Sequence, residues 1–333
     1  MRKTLALIAF AVIAAALYGG YWFVGRAQVE THLTEALDQA NEGPYDVSYT
    51  SLNTRGFPSR FDTTVVDFKF ADPATGTTWS APVFQLLALA YRPNEVIAVF
   101  PPEQTIGFAG QDYQVMTNDM RASGRVRPST ALEFQNATVT LDNPRIRSED
   151  GAELAMAQAI AAMRLSPDTT QTYDVFAEMR SIVLPENTRR FLDPQGTLPQ
   201  LIQNLRIDSD VTLSQPLQLN ANEDTPPQID AITLTELSLN WGDIALTAIG
   251  EAAPNQNGAL DGSVTVTTRN WETVITLGVA NGMIDADRRF LVTEIVRNLD
   301  ETPHIDDTLT LTLRVTDGQM SIGNFPIGPM ISR

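Results

Sequence analysis

The chain has no cysteine and only two histidines among its 333 residues. Without cysteine there is no disulfide framework, no thiolate nucleophile and no cysteine-based metal site. A Ser-His-Asp triad would need His32 or His304, and neither histidine lies in a Gly-x-Ser-x-Gly context. We therefore expect no hydrolase of the triad type.

Positive charge is also scarce, because 23 Lys and Arg stand against 40 Asp and Glu, for a net charge of −17. An acidic field of this size repels phosphate backbones and anionic headgroups. The sequence has no Gly-x-Gly-x-x-Gly motif, no P-loop and no basic patch interleaved with aromatic residues. We expect no nucleic-acid partner, and nothing in the sequence requires a cofactor.

Acidic residues form short clusters that could offer oxygen ligands, namely Asp208-Ser-Asp210, Asp285-Ala-Asp287 and Asp306-Asp307. None of them has the glycine and the distal bidentate acid of a calcium loop. Solvated turns and helix caps are the simpler interpretation, and we expect no metal site. A hydrolase with paired carboxylates stays open, since such pairs are defined in space. We nevertheless expect a protein that is not an enzyme.

A long uncharged run stands at the N-terminus. Arg2 and Lys3 precede an apolar stretch from Thr4 to Val24, which closes with Tyr18, Tyr21, Trp22 and Phe23. As a helix this run is about 30 Å long, which matches the hydrocarbon core of a bilayer. The pattern predicts a transmembrane helix over residues 1–26.

A cleaved signal peptide needs a small-x-small site after its apolar region, whereas Ala14-Ala15-Ala16 lies in the middle of this run and aromatic residues close it. The pattern therefore favours a retained signal anchor over a cleaved signal. With Arg2 and Lys3 on the cytoplasmic side, the remainder of the chain would be exported.

Helical spacing continues beyond the run, through Val29, Leu33 and Leu37, until Asn41-Glu42-Gly43-Pro44. This spacing predicts a juxtamembrane helix over residues 27–43. A straight helix of this length would place the first strand about 20 Å or more beyond the membrane surface.

From residue 44 to residue 333 the apolar period changes to two, and turn residues recur every eight to fifteen positions. This rhythm is typical of an antiparallel sheet built from successive hairpins. We therefore predict a mainly β protein of the β-rich α+β type, with a large curved sheet, a few covering helices and a hinge near residues 185–205.

Several segments carry finer predictions. Leu198–Leu205, Trp271–Ala280 and Ile284–Leu299 are expected to be helical, the last two covering one face of the sheet. Residues 152–164 are alanine-rich, which suits a helix, but the next run alternates as a pairing strand would. For that segment we favour a strand.

Two Phe-Pro turns interrupt the strand pattern, at Arg55–Arg60 and at Gly323–Met330. They could form a lipid-facing lip, or the phenylalanines could close the core while proline protects a sheet edge. Strand stripes that are apolar on both faces need a cover or a ligand. The predicted ligand-binding residues are Phe57, Leu309, Leu311, Leu313, Val315 and Phe325.

The order of these features resembles the bacterial family called domain of unknown function 2125. The likeness consists of the membrane helix, the Arg55-Gly56-Phe57-Pro58 turn, the Leu239–Gly242 hairpin and the closing Asp317-Gly318 hairpin that runs into Phe325-Pro326. The resemblance implies no established activity. More distantly, the layout is similar to AsmA-like envelope proteins, whose curved sheets form apolar grooves for lipid.

Together these features predict a single-pass protein of the bacterial inner membrane, with the bulk of the chain in the periplasm. We expect its sheet to bind a lipid or another apolar ligand in cell-envelope lipid handling or assembly. The alternative is a structural envelope protein that pairs a sheet edge with a protein partner.

Overall fold

The structure is a computed structural model. It describes residues 2–219, 226–282, 284–301, 307–317, 319–322 and 325–329. Most of them lie in antiparallel strands, which confirms the predicted fold class.

The helices are α1 (Arg2–Glu42), α2 (Glu186–Leu192), α3 (Trp271–Ala280) and α4 (Arg289–Leu299), with a 3₁₀ turn at Ala286–Arg288 before the last. The strands are β1 (Asp46–Ser48), β2 (Ser51–Arg55), β3 (Arg60–Asp72), β4 (Thr77–Leu89), β5 (Arg92–Val99), β6 (Glu103–Phe108), β7 (Gln111–Met116), β8 (Asp119–Val126), β9 (Phe134–Asp142), β10 (Arg145–Ser148), β11 (Glu153–Ala155), β12 (Gln158–Leu165), β13 (Thr172–Val183), β14 (Leu201–Leu213), β15 (Ile229–Trp241), β16 (Ile244–Pro254), β17 (Leu260–Arg269), β18 (Thr308–Thr316), β19 (Gln319–Ile322) and β20 (Phe325–Pro329).

The chain divides into two compact units. The first comprises Met1–Val126 with Ile146–Asp150, and the second comprises Arg127–Arg145 with Gly151–Arg333. The hinge that we predicted near residues 185–205 falls inside the second unit, and it stays a prediction.

The first unit is organised by the long hairpin of β3 and β4. On its outer side β3 pairs with β1 and β2, while β4 pairs with β5 and β6, and β5 pairs with β8. Along β3 the buried positions are Phe61, Thr63 and Val65, and then Phe68. The change of parity falls at Asp67, whose φ is 53°. This irregularity turns the second half of the strand so that Phe68 packs against Trp79.

The second unit is a meander in which consecutive strands from β13 to β20 pair with each other, and β12 joins β9 to β13. It includes the predicted pairing of residues 158–165 with 173–180, so the alanine-rich segment is extended as favoured, although it forms two strands, β11 and β12, and not one. Here pairing on both sides outweighs the helix propensity of alanine.

Two helices of the second unit cover part of its sheet. Trp271 and Ile275 of α3 pack with Leu309 of β18 in a buried cluster, and α4 closes it with Val292 and Val296. Both late helices were predicted, although α4 begins at Arg289 and not at Ile284. Their cover over β18 reduces the apolar surface that is open to a ligand.

One predicted helix is wrong. Residues 201–205 begin β14, where Leu201 pairs with Val183 and Ile202 pairs with Ile182. The helical spacing of Leu198, Leu201 and Leu205 arises by coincidence, since two neighbouring strands fix the backbone. The helix of this region lies earlier, in α2.

The loop after α2 depends on one buried carboxylate. Asp193 is 1% exposed and accepts hydrogen bonds from the Leu198 N–H at 2.8 Å and from the Thr197 N–H and hydroxyl at 3.0 and 3.1 Å. Burial alone would raise the pKa of Asp193, but these hydrogen bonds outweigh it and the pKa lies below the ordinary value.

We predict that Asp193→Ala lowers the free energy of unfolding by about 3 kcal/mol at pH 7, because it removes hydrogen bonds to a charged acceptor. A depressed carboxyl pKa stabilises the fold above the ordinary value of 3.8, and this contribution is lost as the pH falls through the folded-state value. Urea unfolding of the full-length chain in detergent should therefore show a difference that shrinks in acid. Asp230→Ala, at an exposed position, is the control, and an equal loss there would contradict the prediction.

Candidate functional site in the first unit

Helix α1 has two different environments along its length. Leu7, Phe10 and Leu17 are 71 to 74% exposed, as expected for a helix without protein neighbours, whereas Trp22 is only 3% exposed. The helix is long and apolar enough to span a membrane. Protein contacts therefore begin inside the last turns of the uncharged run.

Trp22 is the centre of those contacts. Its ring stacks on Phe61 with centroids 6.1 Å apart and packs with Ala90, and its Nε1–H donates to the Arg60 carbonyl at 2.9 Å. Apolar packing thus fixes the helix turn that contains Trp22 against the sheet. The Tyr21 hydroxyl adds a hydrogen bond to the Ala90 carbonyl at 2.7 Å.

These contacts overturn the expected spacing between the membrane and the sheet. The strands do not begin about 20 Å beyond the uncharged run, because the β2–β3 and β4–β5 turns contact α1 at Tyr21 and Trp22. Residues 27–42 of the same helix run alongside β1, β2 and β3. The expectation was wrong because helical spacing alone did not reveal that the apolar face of residues 27–43 packs on the sheet.

Gly25 permits a close approach between α1 and β3. A Cβ at this position would lie 2.8 Å from Cζ of Phe61, whereas a Cβ at Gly20 would meet nothing within 4 Å. Phe61 is buried, so its ring has little room to move. A glycine is therefore needed at residue 25 and not at residue 20.

Side chains of α1 also satisfy the outer edge of the sheet. The Thr54 N–H of β2 donates to Glu30 Oε1 at 2.6 Å, and the Val47 N–H of β1 donates to Asn41 Oδ1 at 3.0 Å. Glu30 is itself held by Arg26 at 3.3 Å. Edge amides that already have partners are poor templates for an added strand. This edge therefore does not favour the strand-pairing alternative.

An apolar groove of about 490 Å³ lies between α1 and the β3–β4–β5 surface. Aliphatic and aromatic groups dominate its lining, with a few polar groups among them. The lining residues are Tyr21, Gly25, Gln28, Val29, His32, Leu33, Phe61, Thr63, Leu86, Ala88, Pro93 and Val96. Size and lining match those of sites for small apolar ligands.

A second hollow of the same unit has a different character. It measures about 390 Å³ and is lined by charged and polar groups that include Asp67, Lys69, Glu103 and Gln104. An apolar ligand would leave these groups without water, which is costly. The groove beside α1 is therefore the better candidate for an apolar ligand.

The predicted ligand-binding residues fall in different places. Phe57 belongs to the first unit and packs on α1, with its ring 5.4 Å from Trp22 and 5.8 Å from Phe23. It lies beside the groove and not in its lining. Phe57 packs on the helix and stays 56% exposed, so both interpretations of the Arg55–Arg60 turn stay predictions.

The other predicted residues belong to the second unit. Leu309 is buried under α3 and α4, and Leu311 packs against the same cluster. Leu313 and Val315 are partly exposed on β18. The backbone of Phe325 lies in β20, and its side chain lies outside what the structure describes. Ligand binding by this stripe stays a prediction, and the first two positions would have to exchange helix contacts for ligand contacts.

The lining of the groove was not identified from the sequence. Its residues come from α1 and three strands, so no local motif joins them. The one available signal was that residues 83–90 and 96–100 are apolar on both faces, which indicates a covered surface.

The acidic clusters behave mainly as local hydrogen-bond acceptors. Asp285 caps the 3₁₀ turn by accepting from the Asp287 N–H at 3.1 Å, and Asp306 lies outside the described residues. Among the residues that the structure describes, no group of three metal-ligating side chains is found.

Two aspartates face each other across neighbouring strands. Asp174 and Asp210 lie directly opposite each other on β13 and β14. Burial, followed by the hydrogen bond and charge of Asp174, raises the pKa of Asp210. The Ser166 hydroxyl and then Arg164, at 2.6 Å, hold the pKa of Asp174 below its ordinary value. Asp210 is therefore the first of the two carboxyls to take up a proton as the pH falls.

Comparison with known families places the chain. The model of the family described as uncharacterized protein conserved in bacteria (DUF2125) matches residues 22–330. The chain belongs to this family, as its motifs predicted. No curated protein matches the chain. The more distant similarity to AsmA-like proteins stays a prediction.

We predict that Gly25→Leu destabilises the first unit by about 1–3 kcal/mol, because the added side chain overlaps Phe61. Gly20→Leu is the matched control in the same helix and should not destabilise the unit. Thermal unfolding of both variants in detergent measures the difference. Equal effects of the two substitutions would contradict the close packing of α1 on β3.

We predict that Asp210→Asn raises the free energy of unfolding by up to about 1 kcal/mol at pH 7, because it removes a like-charge cross-strand pair. The raised pKa means that the ionised form is penalised in the folded state, so acid relieves the penalty. The gain should disappear below the ordinary aspartate value of 3.8. Asp174→Asn should instead destabilise the fold, since Asp174 pairs with Arg164. Urea titrations at several pH values distinguish the two variants.

Proposed function

We propose that the protein is a membrane-anchored binding protein that holds an acyl chain or a similar apolar ligand in the groove between α1 and β3–β4–β5. The observation that carries the proposal is the apolar lining of a groove of about 490 Å³ that begins where the uncharged run of a helix suited to span a bilayer ends. An enclosed apolar ligand would gain about 25 cal/mol for each Å² of surface removed from water.

Anchoring by α1 supports this role because it supplies the source of the ligand. Tyr21 and Gly25 lie at the end of the uncharged run and also line the groove. A lipid chain that leaves the bilayer beside α1 would therefore meet the groove without crossing bulk water. The charge pattern around the run favours the inner membrane, with Arg2 and Lys3 in the cytoplasm and the chain from residue 27 onward in the periplasm.

The polar groups of the lining suit recognition of a headgroup or a carboxylate end. Gln28 and His32 lie one turn apart on α1, whereas the Thr63 hydroxyl is buried and pairs with the Thr54 hydroxyl at 2.8 Å. His32 Nδ1 is 3.2 Å from Glu35 Oε2, so its ring already has a polar neighbour. These groups can orient a ligand, which is a binding role in envelope lipid handling or assembly and not a catalytic one.

We predict that Val96→Trp reduces the ligand occupancy of the groove several-fold, because the indole fills the space beside α1. The full-length chain in nanodiscs is photolysed with a diazirine-bearing phospholipid, and labelled peptides are mapped by mass spectrometry. We expect labelling of the segment from Leu86 to Val96 in the unsubstituted chain.

Ile97→Trp is the matched control. Ile97 is adjacent on β5, points to the opposite face and is 44% exposed. It should leave labelling of the segment unchanged. Labelling confined to residues 4–24, or an equal loss in both variants, would refute the groove as a lipid site.

A further inference from the structure

We infer that the sheet end formed by the β2–β3 and β4–β5 turns docks on the surface of the bilayer that holds α1, with Phe57 and Tyr91 placed among the lipid headgroups. The inference rests on the anchoring part of the proposed function. It does not require a ligand in the groove.

The two turns form one surface. Arg60 pairs with Leu89 across the hairpin, and the Ala90 N–H donates to the Ser59 carbonyl at 2.9 Å. Both turns are fixed to α1, through the Trp22 bond to Arg60 and the Tyr21 bond to Ala90. The position of this surface along the axis of α1 is therefore fixed at the level of Tyr21 and Trp22.

This position lies within the apolar part of α1. A Cβ at Gly19 would be 4.0 Å from the Phe57 ring, and Phe23 stacks on the same ring. Both helix residues precede the first charge after the run, Arg26. If residues 4–24 cross the hydrocarbon core, Phe57 cannot lie in bulk water. The geometry places it at the boundary between acyl chains and headgroups.

The exposed side chains of this surface suit that boundary. Phe57 is 56% and Tyr91 is 64% exposed, and Arg55 flanks the first turn. Aromatic rings collect at membrane interfaces because an apolar ring and a polar surrounding are both available there. Arg60 and Arg92 also belong to the turns, but each lies beside a carboxylate, Asp62 or Glu95. The aromatic rings therefore carry the contact more than net charge does.

The absence of cysteine makes the test direct, since each introduced cysteine carries the single label of the chain. Tyr91→Cys, Phe57→Cys, Ala15→Cys and Ala74→Cys are labelled with an environment-sensitive fluorophore in phosphatidylcholine nanodiscs. Ala74 lies in the β3–β4 turn at the opposite end of the same strands, about 40 Å away. Quenching is measured with aqueous iodide and with lipids that carry a nitroxide near the headgroup.

We expect the labels at residues 57 and 91 to be quenched by the lipid nitroxide and to be several-fold less accessible to iodide than the label at residue 74. The label at residue 15 reports the anchor itself and should be shielded from iodide. A shielded residue 15 with residue 91 as open to iodide as residue 74 would overturn the docking and leave the anchor intact. Access of iodide to residue 15 would overturn the anchor as well. Shielding of residue 91 without nitroxide quenching would show that protein and not lipid covers this surface, which would overturn the inference.

Discussion

The packing of Trp22 against Phe61 and Ala90 is the interaction on which the rest of the first unit depends. It joins a helix whose side chains are exposed over residues 5–17 to the β2–β3 and β4–β5 end of the sheet. The indole contributes both apolar area and a hydrogen bond to Arg60, and buried tryptophans commonly combine these two contributions. Without this contact α1 would only connect the sheet to the membrane. With it, α1 packs on the sheet and forms one side of the groove.

The groove follows from how closely the helix can approach at each point. At Gly25 the helix lies so close to Phe61 that a Cβ there would come within 2.8 Å of its ring. Further along, Glu30 bonds to the Thr54 amide and holds α1 over the β2 edge. Between that line and β5, the lining side chains Val29, Leu33 and Val96 do not fill the space. Gly25 and Glu30 thus hold α1 close to the sheet along one side of the groove, and the groove is the space that remains on the other side.

Much of the fold could be predicted from local patterns, because strands and helices each impose their own period on apolar residues. This worked for α1, for β12 and for α3, whose bounds Trp271–Ala280 were predicted without error. It failed at Leu201–Leu205, where pairing with Val183 and Ile182 decides the backbone. The groove could not be predicted at all, since its width depends on the distance between α1 and β3, and no period in the sequence reports that distance.

The β18 stripe and the groove beside α1 illustrate why a stripe in the sequence is a weaker signal for a ligand than a space in the fold. The β18 stripe begins with Leu309, which α3 and α4 already cover. A ligand there would have to displace Trp271 and Ile275. Its binding free energy would be only the difference between packing with the ligand and packing with these two side chains. In the groove beside α1 the ligand would replace water. Since the free energy of burial comes from removing apolar surface from water, an equally apolar lining favours a ligand more where no side chain has already filled the space.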